Sequence, residues 1–315
     1  MTADIVNVQN LTKRFGVTPV LRGLSFSVAR GTVLGVLGPN GAGKTTAINC
    51  LTTLLTPDSG TATIAGYSVT QQPEAVRALI SLTGQFAAVD EALTARENLI
   101  LFGRLLRLSG AAAKQRADAL LAQFELAEAA NRQVKTFSGG MRRRLDLAAS
   151  IVVLPLVLFL DEPTTGLDPR SRQQLWAVVQ DLKAQGITII LTTQYLEEAD
   201  ALADQIIVID HGQVIAEGTA DELKDKVGGK FCEISLANLD DATKVRALLA
   251  DIGEMTVGEM GENGPMAIAA PNGAKTLTEI VLRLEAENIP LADISLRRPS
   301  LDDVFFALTG HTTKD

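Results

Sequence analysis

Gly38-Pro39-Asn40-Gly41-Ala42-Gly43-Lys44-Thr45 combines residue types and spacing suited to one task, gripping the phosphates of a nucleotide in a P-loop. The glycines let successive backbone N–H groups turn inward around an anion, and a helix opening at Thr46 adds the positive end of its dipole. Lys44 brings a mobile positive charge for the β- and γ-phosphates, and Thr45 a hydroxyl for Mg²⁺. A second set ends the apolar run Val157-Leu158-Phe159-Leu160. There Asp161 is placed to join Thr45 in the Mg²⁺ shell, and Glu162 to orient and deprotonate an attacking water. An acidic pair at a strand end also suits a solvated turn; its place downstream of a phosphate loop favours the chemistry.

These groups need parallel strands and helices to hold them. Residues 32–37 read as a buried strand entering the phosphate loop, and 46–51 as the helix leaving it. Short β-rich pieces at 4–9, 24–28 and 61–65 surround that strand. A largely helical stretch follows over 96–154. Strands return at 157–160, 188–191 and 206–209, and a turn at 210–213 leads into a hairpin partner at 214–216. Ser138-Gly139-Gly140 opens a helix expected over 141–153, with the serine as N-cap and the glycines exposing N–H groups. A plain capped helix explains that tripeptide equally well. The fold class expected is α/β to about residue 220, then a short helix and hinge at 221–229. Beyond it, 230–315 carries a β-α-β-β-α-β order, the ferredoxin-like arrangement, and a last short helix.

The bulk properties agree with a large domain followed by a smaller one: 315 residues, 46% hydrophobic and 21% charged. A net charge of −8 argues against a protein whose main task is holding nucleic acid. Cys50 and Cys232 are too few for a disulfide framework and lack metal-ligand spacing, which fits a reducing cytoplasm. No secretory signal is expected from residues 1–10, and the longest apolar stretch, 147–160, is interrupted by Ser150 and Pro155 and too short to span a bilayer. The run Arg142-Arg143-Arg144 points in three directions on a helix, and a solvated, ion-paired face is expected there rather than a nucleic-acid patch.

Taken with Gln85 after a strand-like 79–83 and Gly166-Leu167-Asp168 just past the acidic pair, this ordered set resembles the nucleotide-binding subunit of an ABC transporter over residues 4–218. The resemblance implies a RecA-like core, an antiparallel β subdomain and a helical subdomain at about 86–155. It also implies roles. Phe15 matches the aromatic that stacks on adenine, and Gln85 the glutamine that touches Mg²⁺ and senses the membrane subunit. Phe137-Ser138-Gly139-Gly140-Met141 matches the signature loop that closes on the γ-phosphate of the other subunit's ATP, and Asp168 the loop that communicates across the dimer. Two positions depart from the pattern. Met141 stands where the signature usually has Gln, and Gln194 stands in the place of the switch histidine. An amide can donate a hydrogen bond to phosphate but carries no proton or charge near neutral pH, so Glu162 is left as the leading base.

Gln194 within LTTQYLEEAD, the run SGGMRRR and the C-terminal LADISLRRPSLDDVFFAL are similar to the ATPase subunits of daunorubicin/doxorubicin-type bacterial drug exporters. That similarity implies a head-to-tail homodimer using ATP and Mg²⁺ at the cytoplasmic face of the cell membrane. It further implies a separate integral membrane permease docking beside Gln85, Phe86 and 90–93, and a hydrophobic drug or lipid as cargo. It gives residues 230–315 a regulatory or dimer-stabilising part. An importer ATPase, or a soluble relative acting on ribosomes or nucleic acid, is the alternative. One cassette without a coiled-coil insertion speaks against the soluble class.

Overall fold

A computed structural model describes residues 4–84, 88–227, 229–252, 255–257 and 266–309. It divides into two units, Met1–Ala220 and Asp221–Asp315. In the first, β1 (Asp4–Phe15) and β2 (Thr18–Ala29) form a long hairpin, and β4 (Ser59–Ile64) and β5 (Tyr67–Ser68) complete a four-stranded sheet ordered β2-β1-β4-β5. The alternation along β2 buries Leu24, Phe26 and Val28 on one face, the period expected of a sheet packed on one side, and Leu21 is buried beyond a register shift opposite Leu11 and Thr12.

The second sheet is built on β3 (Val33–Leu37), β6 (Ile80–Thr83), β7 (Val157–Asp161), β8 (Thr188–Thr193), β9 (Gln205–Asp210) and β10 (Gln213–Gly218), ordered β10-β9-β3-β8-β7-β6. All neighbours are parallel except the β9/β10 hairpin. Every residue of β3, β7 and β8 is buried, as parallel strands covered on both faces must be. The helices of this unit are α1 (Lys44–Leu51), α2 (Pro73–Arg77), α3 (Ala95–Leu105), α4 (Gly110–Gln123), α5 (Gly139–Ser150), α6 (Pro169–Ala184) and α7 (Leu196–Leu202). α5 stops three residues earlier than the expected 153, and Arg116 takes the carbonyls of Ile151 and Val152 that follow it.

Register decides function here. Leu37 pairs with Thr193 and Val208, and Asp161 pairs with Thr192. The phosphate loop after β3, the acidic pair at the end of β7 and the Thr192–Gln194 segment at the end of β8 therefore share one edge, the carboxyl ends of adjacent parallel strands. Open α/β sheets bind their ligands along that edge.

In the second unit, α8 (Ala220–Val227) precedes β11 (Phe231–Leu236), α9 (Ala242–Leu249), β12 (Met255–Val257), β13 (Met266–Ala269), α10 (Ala274–Ala286), β14 (Leu291–Arg297) and α11 (Leu301–Thr309). The sheet is antiparallel and ordered β12-β13-β11-β14, the ferredoxin-like arrangement read from the sequence. Thr276, Ile280 and Leu284 lie at i, i+4 and i+8 of α10 and are buried, with Val245 and Leu249 of α9, in its core. Among the described residues no helix is long and apolar enough to cross a membrane.

Candidate functional site

Lys44 is the first residue of α1 and is only 5% exposed. Its Nζ donates to the carbonyls of Gly38 (2.6 Å) and Pro39 (3.1 Å), so the ammonium is folded back over the loop it belongs to. Burial pushes its pKa below the usual lysine value, and the carboxylates of Glu162 and Asp161 oppose that shift. Gly43, directly before it, has φ 107°, a backbone conformation that side chains rarely adopt, so the turn into α1 favours glycine. Asn40, Gly41 and Thr45 are exposed, while Ala42 and Gly43 are buried beneath them.

The acidic pair meets the loop through Thr45, whose Oγ1 donates to Asp161 Oδ1 at 3.3 Å. The same oxygen accepts from Thr192 Oγ1 at 2.5 Å, which ties β7 to β8. A hydroxyl and a carboxylate side by side are hard oxygen donors of the kind Mg²⁺ takes, leaving its other positions to water and phosphate. Glu162 sits with φ 47°, a left-handed conformation that costs a non-glycine residue about 1–3 kcal/mol. Its N–H donates to the Thr192 carbonyl and lies 3.1 Å from Thr192 Oγ1, and its Oε2 accepts from Thr165 Oγ1 at 3.2 Å. The structure thus brings Lys44, Thr45, Asp161 and Glu162 together. Gln194, half-buried, follows Thr193, whose Oγ1 accepts from Tyr195 N–H at 2.9 Å.

Ser138 and Asp168 each cap a helix, and the two helix starts approach each other at Gly140 and Ser171. Ser138 caps α5 by accepting from Met141 N–H (3.3 Å), and Asp168 caps α6 by accepting from Ser171 N–H (2.9 Å) and Ser171 Oγ (2.6 Å). These bonds hold the exposed Asp168 carboxyl below the usual aspartate range. Gly140 is needed for space: a Cβ there would lie 2.3 Å from Ser171 Oγ. Met141, in place of the usual Gln, packs against the hydrophobic core. Phe15 ends β1 half-exposed, with Lys13 Nζ 5.9 Å from its ring centroid. Gln85 and Phe86 lie outside the described residues.

The arginine run differs from the expected solvated face. Arg142 does pair with Glu91 at 2.6 Å, but Arg144 is largely covered, donating to the Phe124 carbonyl at 3.0 Å. Arg143 is 10% exposed and pairs with Asp146, itself 4% exposed. Successive helix residues are turned by about 100°, so Arg142 stays at the surface while Arg143 and Arg144 are covered. Burial pushes Arg143 down and Asp146 up from their ordinary values, and each charge opposes the shift of the other. Removing one partner of a buried pair costs about 3–5 kcal/mol, whereas replacing both by apolar groups is often neutral.

Glu198 on α7 was also invisible to motif reading. It is fully buried, and Trp176 Nε1 donates to its Oε1 at 3.1 Å. Burial raises its pKa above the ordinary 4.5, against the opposing influence of Thr193, Thr164, Trp176 and Arg172. Leu202, four residues on and buried, was the available signal, because i and i+4 share a helix face. The native state holds this proton more tightly than the unfolded chain. Its stabilising contribution is therefore complete below pH 4.5 and is lost as pH rises through the elevated native value. Glu198→Gln is expected to flatten that part of the decline, measured as Tm against pH beside the wild type. An unchanged slope would show that Glu198 does not titrate this way.

A family model described as ABC transporter matches residues 21–165. The chain is 52% identical over 314 residues to the doxorubicin resistance ATP-binding protein DrrA of Mycobacterium tuberculosis, covering 99% of this chain and 95% of that protein. It is 49% identical to the daunorubicin/doxorubicin resistance ATP-binding protein DrrA of Streptomyces peucetius, covering 98% and 94% of the two chains. Among solved structures, the ATP-binding cassette MJ0796 in a dimeric post-hydrolysis state with ADP and Pi is 25% identical, with a TM-score of 0.62 over 68% of this chain and 98% of that one.

Proposed function

The chain belongs to the ABC transporter ATP-binding family, and from that premise we propose that two copies of it cleave MgATP at a shared interface to drive export of a hydrophobic drug or lipid through a separate membrane permease. The observation that supports this most is the hydrogen-bonded set of Thr45, Asp161, Thr192 and Glu162 on one sheet edge, with Lys44 of the phosphate loop facing the same two carboxylates. Relatives named for doxorubicin and daunorubicin resistance support a drug as cargo.

In this reading Gly38, Pro39, Asn40, Gly41, Ala42 and Gly43 cradle the phosphates with backbone N–H groups, Lys44 neutralises the β- and γ-phosphates, and Phe15 stacks on adenine. Thr45 and Asp161, with Gln85, would hold Mg²⁺, which when bound withdraws charge from the phosphate oxygens. Glu162 accepts the proton of a water whose oxygen attacks the γ-phosphorus, and the bond to the ADP oxygen breaks in line. Gln194 donates its amide N–H to a γ-phosphate oxygen. Ser138, Gly139 and Gly140 of the second copy close on the same phosphate, and Asp168 links the two sites. Nucleotide touching both copies favours the closed pair, and cleavage releases it. Closure and release work a permease from the cytoplasmic membrane face, where this chain is peripheral. Residues 230–315 stabilise or regulate the pair.

Inverted vesicles carrying the chain with its membrane subunit are expected to accumulate doxorubicin only with ATP. Uptake that ignores ATP, or survives Glu162→Gln, would overturn drug export driven by this chain.

A further inference from the structure

Arg143 does more than neutralise Asp146. Its guanidinium has five N–H donors, and the structure offers each an acceptor. Nε donates to Pro163 O (2.8 Å), Nη1 to Gly84 O (2.6 Å) and Asp146 Oδ2 (3.4 Å), and Nη2 to Asp161 O (3.3 Å) and Glu162 O (3.5 Å). Three of these acceptors are consecutive carbonyls at the exit of β7. They flank and include Glu162, the residue held in a left-handed conformation. The turn carries its strain while its N–H is held by Thr192 from one side and its carbonyls by Arg143 from the other. Asp146 keeps the guanidinium in place and reaches onward, accepting from Ala88 N–H at 2.7 Å. α5, which Ser138 opens, is thereby joined to the exits of β6 and β7 through one buried pair.

We propose that Arg143, oriented by Asp146, is the positioning residue for Glu162, aiming its carboxylate for water activation by holding the 161–163 carbonyls to α5. The inference rests on Glu162 being the base. A lysine cannot replace the arginine, having three donors on a tetrahedral nitrogen where a planar fork is used.

The test uses the full-length chain in its membrane complex and reads ATP affinity, kcat and Tm for Arg143→Lys, Asp146→Asn and the double variant Arg143→Met/Asp146→Leu. The double variant removes both buried charges together and so avoids leaving one unpaired, and Tm reads whether the fold is kept. The expected result is a kcat about 10- to 100-fold lower, as displacement of a reacting group by about 1 Å brings, with ATP Kd within about threefold of wild type. Added to Glu162→Gln, the Arg143 change is expected to cause no further loss of single-turnover hydrolysis. A folded, ATP-binding variant with wild-type kcat, a kcat loss matched by equal loss of ATP affinity, or losses that add to those of Glu162→Gln would each overturn the proposal. Full turnover in Glu162→Gln alone would instead overturn the assignment of the base.

Discussion

Lys44→Ala is expected to abolish usable ATP binding, with titration calorimetry showing affinity at least about 100-fold weaker than wild type. The side chain is buried under its own loop, and its ammonium is the positive charge set against Asp161 and Glu162. A hydrogen bond to a charged group contributes about 1.5–3 kcal/mol, and each 1.4 kcal/mol is about tenfold in affinity. Alanine removes at least two such bonds to phosphate. It also leaves the Gly38 and Pro39 carbonyls without their donor, so the empty loop loses its internal tie as well. Near-normal affinity in this variant would mean that the loop N–H groups alone hold the nucleotide, and Lys44 would lose its assigned role.

Glu162→Gln is expected to separate binding from cleavage. The amide keeps the shape of the side chain and can still meet Thr165, but it cannot take a proton from water. General-base assistance contributes about 10²- to 10⁴-fold, so steady-state hydrolysis should fall by at least the lower figure while ATP affinity persists. With cleavage blocked, nucleotide remains between the two copies, and size-exclusion chromatography in MgATP should show a dimer that wild type forms only transiently. Normal turnover in the variant would remove Glu162 from the mechanism. A variant that neither turns over nor dimerises would remove the shared interface.

Much of the site was legible because its chemistry depends on local spacing. The glycines of the phosphate loop, the lysine and threonine that follow, and the acidic pair after an apolar run are each stretches of fewer than ten residues. The ferredoxin-like order of the second unit was legible for a related reason, since amphipathic periods of two and 3.6 distinguish strands from helices without knowledge of what they pack against. The N-cap Ser138 also stands as a local feature, bonding within its own helix start, whereas the matching cap by Asp168 was not read from the sequence.

Arg143 was misread and Glu198 overlooked for the opposite reason. A run of three arginines beside an acidic overall composition suggests a wet face, and nothing local says that the middle one meets Gly84 and Pro163, residues 59 and 20 positions away. Glu198 follows another glutamate at a helix start, where acidic side chains are ordinarily exposed and favoured by the dipole; its partner Trp176 lies 22 positions back on α6. Thr192 likewise looks like one more β-branched strand residue until its hydroxyl reaches Asp161.

Short spacings carry the chemical inventory, meaning a phosphate cradle, its lysine, two carboxylates and a helix capped by Ser138, together with the alternation that builds an α/β unit and a second α+β unit. Where these groups meet is set by contacts between distant segments. Parallel registry of β3, β8 and β7 puts three distant loops on one edge, and the buried Arg143–Asp146 pair fastens the helix bearing the signature loop to the turn bearing Glu162. The physical reason is that hydrogen-bond capacity and desolvation are settled by neighbours in space. An arginine's five donors and a glutamate's proton acquire their roles only when the chain has brought acceptors from elsewhere and excluded the water that would otherwise serve them.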